Sequence, residues 1–141
     1  MASALRLRSL ALRPLQARAF HVTPRALEHF LDADKETFAR VTSKEHTKDR
    51  VVLVDFYADW CGPCKQLSPL LEQLTSSPSL TSGSGRPVDL VTVDVDAEPE
   101  LSMQYKVSSI PTVVAFKDGE KAGQFVGALP EPAIKKFLGG L

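Results

Sequence analysis

The chain has 141 residues, of which 43% are hydrophobic, and its 17 basic side chains balance 17 acidic ones. This length suffices for one domain with a hydrophobic core and is too short for two. No run approaches the roughly 18 apolar residues that a membrane-spanning helix requires, and the balanced charge gives no basic surface for nucleic acid. We therefore expect one domain that binds neither membranes nor nucleic acid.

The first 27 residues differ in charge from the rest. They contain five arginines and no acidic residue, whereas residues 28–141 carry 12 basic and 17 acidic side chains. An arginine-rich, acid-free start with serines and scattered leucines is typical of a mitochondrial transit peptide, and residues 18–23 resemble a two-step matrix cleavage signal. We therefore expect residues 1–27 to be a transit peptide, cleaved between about residues 19 and 28, and the protein to work in the mitochondrial matrix. A basic tail without a targeting role is the alternative.

The first half of the remaining chain predicts a strand, a helix and a second strand. Residues 26–31 are predicted to form a short edge strand, and Asp34 is predicted to cap the helix that follows it. The polar residues 43–48 are predicted to be a loop. Residues 51–57 are almost continuously apolar, as expected of a central strand buried on both faces, and Asp55 is the exception among them.

The second half begins with leucines at helical spacing, which predict a helix from Pro63 to about residue 76. Residues 76–87, rich in serine and glycine, are predicted to be a surface loop. Then follow a buried strand, a short helix, a hairpin of two strands and a final helix, predicted at residues 88–95, 98–106, 112–117, 121–126 and 130–138. This order predicts an α/β fold in which a mixed central sheet carries helices on both faces.

Two cysteines, Cys61 and Cys64, flank the dipeptide Gly62-Pro63. A single pair is too small for a disulfide framework, and no histidine cluster lies near it to complete a zinc site, so we expect no bound metal. Cys61 is expected at the exposed beginning of a helix, where unpaired backbone N–H groups and the helix dipole favour a thiolate. A thiolate is the nucleophile of disulfide exchange, so the pair is a candidate redox site.

The spacing of the cysteines predicts a reaction cycle. Cys64 lies one helical turn after Cys61, close enough to form a disulfide with it. Cys61 is expected to attack a substrate disulfide as the nucleophile, and Cys64 to resolve the mixed disulfide and release the reduced substrate. Asp55 is the candidate base that accepts the proton of Cys64, with a pKa raised by desolvation. The alternative is an edge strand from which Asp55 points into solvent.

Residues 54–65 read VDFYADWCGPCK and resemble the signature of the thioredoxin family, and Ile110-Pro111-Thr112 and residues 116–119 and 126–129 follow in the family's order. The resemblance covers roughly residues 30–141. It implies the thioredoxin fold for residues 28–141 and a protein-disulfide reductase in which Gly62 and Pro63 tune the redox balance. No cofactor would be bound, and electrons would come from NADPH through a thioredoxin reductase.

The resemblance also implies client proteins and a surface that docks them. Peroxiredoxins and methionine sulfoxide reductases are the expected clients of a monomer. The apolar patch that docks them would comprise Trp60, Gly62, Pro63, Ile110, Pro111 and Gly127. Pro111 would follow a cis peptide bond, although trans is the default from sequence, and Ile110 would pair with an extended substrate. For Trp60 the alternative is packing in the hydrophobic core.

This chain departs from the family pattern at Thr92. Many members have a lysine at that position, which pairs with the buried aspartate. Desolvation should still raise the pKa of Asp55 without it.

Two other functions remain open at this point. A disulfide oxidase or isomerase of the same fold commonly carries histidine where this chain has Pro63, and the proline favours a reductant. A non-catalytic binding module usually lacks one of the two cysteines, and this chain has both. We therefore expect a reductase, with the reduction potential as the measurement that separates it from an oxidase.

Overall fold

The computed structural model describes residues 26–141, so the predicted transit peptide lies almost entirely outside the described residues. The described elements follow the chain in this order: β1 (His29–Phe30), α1 (Lys35–Thr42), α2 (Lys44–Thr47), β2 (Val51–Tyr57), α3 (Cys64–Thr75), β3 (Val88–Asp94), α4 (Pro99–Gln104), β4 (Thr112–Lys117), β5 (Glu120–Val126) and α5 (Glu131–Gly139).

The strands form one mixed sheet in the order β1-β3-β2-β4-β5. β2 runs parallel to β3 and antiparallel to β4, so it is the central strand, and β5 continues the sheet antiparallel to β4. The residues of β2 are buried from Val51 to Phe56, as the unbroken apolar run predicts. The predicted mixed sheet is confirmed, and Asp55 lies on its central strand rather than at an edge.

Each face of the sheet packs against helices, because successive side chains of a strand point to opposite faces. One face is covered by α1 and α4, whose Phe38, Val41 and Leu101 pack on Val52, Val54 and Phe56 of β2. The other face is covered by α3 and α5, whose Leu67, Leu71, Ile134 and Leu138 pack on Val51 and Leu53. By the same alternation Asp55 belongs to the face covered by α3. None of the helices in residues 26–141 is long and apolar enough to cross a lipid bilayer.

Two predicted elements differ from those observed. Residues 43–48 are not a loop, because α2 forms within them where the Ser43 hydroxyl accepts a hydrogen bond from the His46 N–H at 3.3 Å. β1 has two residues instead of the predicted six, because the parallel pairing with β3 extends over His29 and Phe30 alone, and the turn at Asp32, whose φ is 53°, follows directly. The other predicted elements are confirmed with their ends displaced by two residues at most.

Candidate redox site

The two cysteines lie between the end of β2 and the start of α3 and are joined by a disulfide, with 5.3 Å between their Cα atoms. The helix begins at Cys64, one residue after its predicted start at Pro63, and Cys61 lies three residues before it. The backbone N–H of Cys64 nevertheless donates a hydrogen bond to the Cys61 sulfur at 3.2 Å. An N–H donor at the start of a helix stabilises negative charge, so this contact supports a thiolate at Cys61 in the reduced pair.

The expected exposure of Cys61 is not observed, because its relative exposure is 4% and that of Cys64 is 2%. Both side chains pack with Ala58, and partly buried apolar side chains, including Ile110, cover them. The neighbours Trp60, Gly62 and Pro63 are exposed. The exposed surface that these neighbours form therefore borders the buried disulfide.

Trp60 is 69% exposed, which is incompatible with the core-packing alternative. Its indole N–H donates a hydrogen bond to Asp96 Oδ2 at 2.8 Å, and this contact holds the ring beside the disulfide. A groove of about 400 Å³ runs between Trp60 and Ile110, with Val95 and Val107 in its wall. An exposed aromatic ring beside an apolar groove is a common feature of surfaces that bind other proteins.

The structure brings the predicted docking residues of the hairpin together. The peptide bond from Ile110 to Pro111 is cis, as the family resemblance implies. Gly127 has a φ of 91°, a conformation that side chains disfavour, and its N–H donates a hydrogen bond to the Pro111 carbonyl at 2.8 Å. Ile110 packs against the cysteines, so the hairpin borders the disulfide opposite Trp60 across the groove.

Asp55 is fully buried, and its carboxylate makes one hydrogen bond among the described residues. The Ser68 hydroxyl donates to Oδ2 at 2.5 Å, whereas the buried Oδ1 has no hydrogen-bond partner. Burial raises the pKa of Asp55 from 3.8 to about 6, the Ser68 hydrogen bond opposes this rise, and the charge of Glu72 adds to it. The predicted rise by desolvation is confirmed.

Thr92 lies opposite Asp55 in the neighbouring strand β3, as expected for a position that can contact the acid. Its hydroxyl is engaged elsewhere, since it accepts a hydrogen bond from the Asp32 N–H at 2.8 Å. The partner of the Asp55 carboxylate is instead Ser68, which sequence reasoning missed. Its spacing was a usable signal, because residues four apart lie on one helix face and Ser68 follows Cys64 by four.

Metal chemistry has no donor set in the part of the chain that the structure describes. Between residues 26 and 141, no group of three or more histidine, cysteine, aspartate or glutamate side chains is placed to hold a metal ion.

Comparisons with known proteins give the family. The thioredoxin family model matches residues 29–139. The thioredoxin of Chlamydia trachomatis is 39% identical over 104 residues, which cover 70% of this chain and 94% of that protein. The mitochondrial thioredoxin of Mus musculus is 38% identical over 130 residues, which cover 92% of this chain and 72% of that protein.

Solved structures agree with the sequence comparison. The thioredoxin of Fasciola hepatica superimposes with a TM-score of 0.65 at 30% identity, over 77% of this chain and 95% of that one. A thioredoxin variant from Halobacterium salinarum gives a TM-score of 0.65 at 36% identity, over 79% and 88% of the two chains. Because the matched region contains the whole sheet and the Cys61–Cys64 disulfide, this chain belongs to the thioredoxin family and is a thiol–disulfide oxidoreductase.

Proposed function

We propose that this oxidoreductase works as a general protein-disulfide reductase of the mitochondrial matrix, with Cys61 as its nucleophile. The observation that carries the proposal is the disulfide at the start of α3, beside an exposed tryptophan and an apolar groove. Gly62 and Pro63 between the sulfurs are proposed to set the redox balance in favour of the reductant.

In the first step, the Cys61 thiolate of the reduced protein attacks one sulfur of a substrate disulfide. The substrate S–S bond breaks, its second sulfur leaves as a thiolate, and a mixed disulfide joins Cys61 to the substrate. The hydrogen bond from the Cys64 N–H to the Cys61 sulfur supports this assignment, because it stabilises the charge that the nucleophile carries.

In the second step, Cys64 resolves the mixed disulfide. Its thiol gives a proton to Asp55, and the resulting thiolate attacks the Cys61 sulfur, which expels the remaining substrate thiolate. The pair is then a disulfide, and the substrate has gained two electrons. Asp55 suits this role because its pKa of about 6 leaves it ionised at neutral pH yet basic enough to hold a proton briefly.

The docking surface is proposed to bind an extended segment of the client beside Trp60, Pro111 and Gly127. The groove between Trp60 and Ile110 has apolar walls, which suits polypeptide side chains better than a small charged molecule. Ile110 precedes β4, and its backbone is proposed to pair with the client. Clients of this kind include oxidised peroxiredoxins and methionine sulfoxide reductases, and we propose that the chain meets them as a monomer.

The oxidised pair has to be reduced before another cycle begins. We propose that a thioredoxin reductase supplies the two electrons from NADPH by thiol–disulfide exchange with Cys61 and Cys64, so that this chain itself binds no cofactor. The same docking surface would serve for both partners, because each presents a sulfur to Cys61.

The mitochondrial location rests on residues 1–27, proposed to be a transit peptide that precedes a thioredoxin domain at residues 28–141. The acid-free, arginine-rich composition supports it, and so does the similarity to the mouse mitochondrial protein over 92% of this chain. The bacterial thioredoxins are equally similar to this chain, so similarity alone does not decide its location. Import into isolated mitochondria, with mass spectrometry of the mature N-terminus, tests the proposal, and an imported chain that retains Met1 would contradict processing.

Reduction of insulin by dithiothreitol or by NADPH and a reductase tests the activity. We expect Cys61→Ser to abolish the catalysed rate, whereas Cys64→Ser should accumulate a mixed disulfide that runs as a larger species on a non-reducing gel. A binding module would be indifferent to both changes. A reduction potential in the range of oxidising catalysts would instead favour an oxidase or isomerase.

A further inference from the structure

Ser68 occupies an unusual position between the buried acid and the surface. Its hydroxyl is the hydrogen-bond partner of Asp55 Oδ2, at 2.5 Å, whereas the carboxylate itself has no exposed surface. Ser68 is only partly buried, and it lines a cleft of about 270 Å³ between α3 and residues 57–59. Ser68 therefore lies between the Asp55 carboxylate and the cleft.

The same serine lies beside the resolving cysteine. Cys64 and Ser68 are four residues apart on α3, so they lie on one face of that helix, and both line the cleft. Asp55 faces α3 from the central strand. A hydrogen bond from Ser68 thus ties the carboxylate to the helix that carries Cys64.

Ser68, rather than a charged group, provides the contact that stabilises the ionised carboxylate of Asp55. Glu72, on the next turn of α3, raises the pKa of Asp55 by its negative charge, and Asp59 and Lys65 stand at the cleft. The residues opposite Asp55 in the flanking strands are the uncharged Thr92 and Val113. In residues 26–141 no cation hydrogen-bonds to the carboxylate, which many family members pair with lysine.

We propose that Ser68 is a positioning residue of the resolving step, which holds one oxygen of the Asp55 carboxylate and leaves the other free to take the proton of Cys64. This inference rests on the proposed role of Asp55. Oδ2 is held by the hydroxyl, so Oδ1 is the oxygen with an unused lone pair. The proton passes from the Cys64 sulfur to Oδ1, and the sulfur's electron pair forms the bond to Cys61. The S–S bond between Cys61 and the substrate breaks, the substrate sulfur leaves as a thiolate, and Ser68 neither gains nor loses a proton.

The resolving step can be observed by itself with the chromogenic disulfide DTNB in stopped flow. Reduced protein releases one thionitrobenzoate when Cys61 attacks and a second when Cys64 resolves the mixed disulfide. Without Ser68 the ionised carboxylate loses a hydrogen bond, so Ser68→Ala should raise the pKa of Asp55 by about 1. Resolution should then slow about fivefold at pH 6 and remain unchanged at pH 9, since the ionised fraction of Asp55 sets the rate.

Two variants serve as comparisons. Ser68→Thr keeps the hydroxyl and should restore the parent pH profile. Ser76→Ala removes a hydroxyl from the other end of α3, where it donates to the Glu72 carbonyl at 2.6 Å, and should leave the profile unchanged. NMR titration of the Asp55 carboxyl carbon in Ser68→Ala gives the pKa directly, and thermal unfolding verifies that each variant is folded.

The outcomes separate the two proposals. If Asp55→Asn leaves the second phase unchanged from pH 5 to pH 9, the proposed role of Asp55 is wrong. If Asp55→Asn slows that phase but Ser68→Ala leaves both its pH profile and the Asp55 pKa in place, only the inference about Ser68 is overturned. A slowing of Ser68→Ala that Ser68→Thr does not restore would also overturn it, because lost packing rather than the lost hydroxyl would then be the cause.

Discussion

Among single residues, Asp55 combines a proposed chemical role with a cost in stability. Its carboxylate lies on the central strand with no exposed surface, and one of its oxygens has no hydrogen-bond partner among the described residues. Burying a carboxylate is unfavourable for the charged form and tolerable for the neutral form. The raised pKa of about 6 expresses this difference, and it means that ionised Asp55 works against folding at neutral pH.

Asp55→Asn should therefore stabilise the protein at high pH. The pKa is raised from 3.8 in the ordinary carboxyl to about 6 in the fold, so between these values the folded state holds a proton that the unfolded state has lost. The contribution of Asp55 to the free energy of unfolding is therefore largest below pH 3.8 and falls as the pH rises to 6. Above pH 6 this contribution stays lower by about 3 kcal/mol. Asp55→Asn has no such fall, so the free energies of unfolding of the two proteins in urea at pH 4 and pH 8 measure its size in the parent.

Asp59→Asn is the matched control, because it removes an exposed carboxylate near the same strand end. We expect the gain of Asp55→Asn over the parent to grow by about 2.5 kcal/mol from pH 4 to pH 8, and that of Asp59→Asn to stay small. An equal gain from Asp55→Asn at both pH values would mean that ionisation of Asp55 does not carry the cost.

Among the elements, α3 supplies Cys64 and the two side chains that act on Asp55. It begins at Cys64, and Ser68 and Glu72 follow at intervals of four residues on the same face, next to Asp55. Ser68 lowers the pKa of Asp55 and Glu72 raises it. One face of α3 therefore carries the Cys64 sulfur together with two side chains that shift the pKa of Asp55 in opposite directions.

Glu72→Gln should lower the pKa of Asp55, because it removes a negative charge that disfavours ionisation of the carboxyl. The expected direction is opposite to that of Ser68→Ala, although both changes lie on α3. Glu72 is partly exposed, so solvent screens its charge and the change should be less than about 1. Carboxyl NMR titration measures it, and a larger change at low than at high ionic strength would identify the effect as electrostatic.

The elements with apolar periodicity could be predicted from the sequence, and α2 could not. Its four residues, KEHT, contain no apolar spacing, and the helix depends on its N-cap and on distant contacts. Thr47 accepts hydrogen bonds from the Asp118 and Gly119 N–H groups, 71 and 72 residues further on. Cys61, Cys64 and Asp55 were identifiable by residue type. The spacing of Ser68 places it on the same helix face as Cys64, but its contact with Asp55 depends on the packing of α3 on β2, which the sequence does not specify.

Ser43→Ala tests how far α2 depends on its cap. The Ser43 hydroxyl donates to the Arg40 carbonyl at 2.7 Å at the end of α1 and accepts from the His46 N–H at the start of α2. Its loss should lower the free energy of unfolding by about 1 kcal/mol. Ser43→Asp keeps an acceptor for the His46 N–H and should lose less. Equal losses in the two variants, measured by urea unfolding, would mean that the cap is not the stabilising feature.

Across the whole molecule, the redox site and a buried charge network lie at opposite ends of β2. Cys61 follows the strand, whereas Arg50 immediately precedes it and is 1% exposed. The Arg50 guanidinium donates to Asp89 Oδ2 at 2.5 Å, and His46 Nε2 is 3.2 Å from the same oxygen. Asp89 Oδ1 accepts from the Glu28 N–H, so one buried carboxylate connects α2, β2, β3 and the segment before β1.

Asp89→Ala should destabilise the fold without changing the resolving chemistry. It leaves the buried guanidinium of Arg50 without its close carboxylate, and breaking a buried pair from one side costs about 3 to 5 kcal/mol. Asp89→Asn keeps an acceptor oxygen and should cost less. Replacing both partners, with Arg50→Met and Asp89→Leu, should also cost less than Asp89→Ala, because no unpaired charge remains buried. Urea unfolding gives these differences, and a double variant as unstable as Asp89→Ala would show that lost packing, rather than an orphaned charge, is the cause.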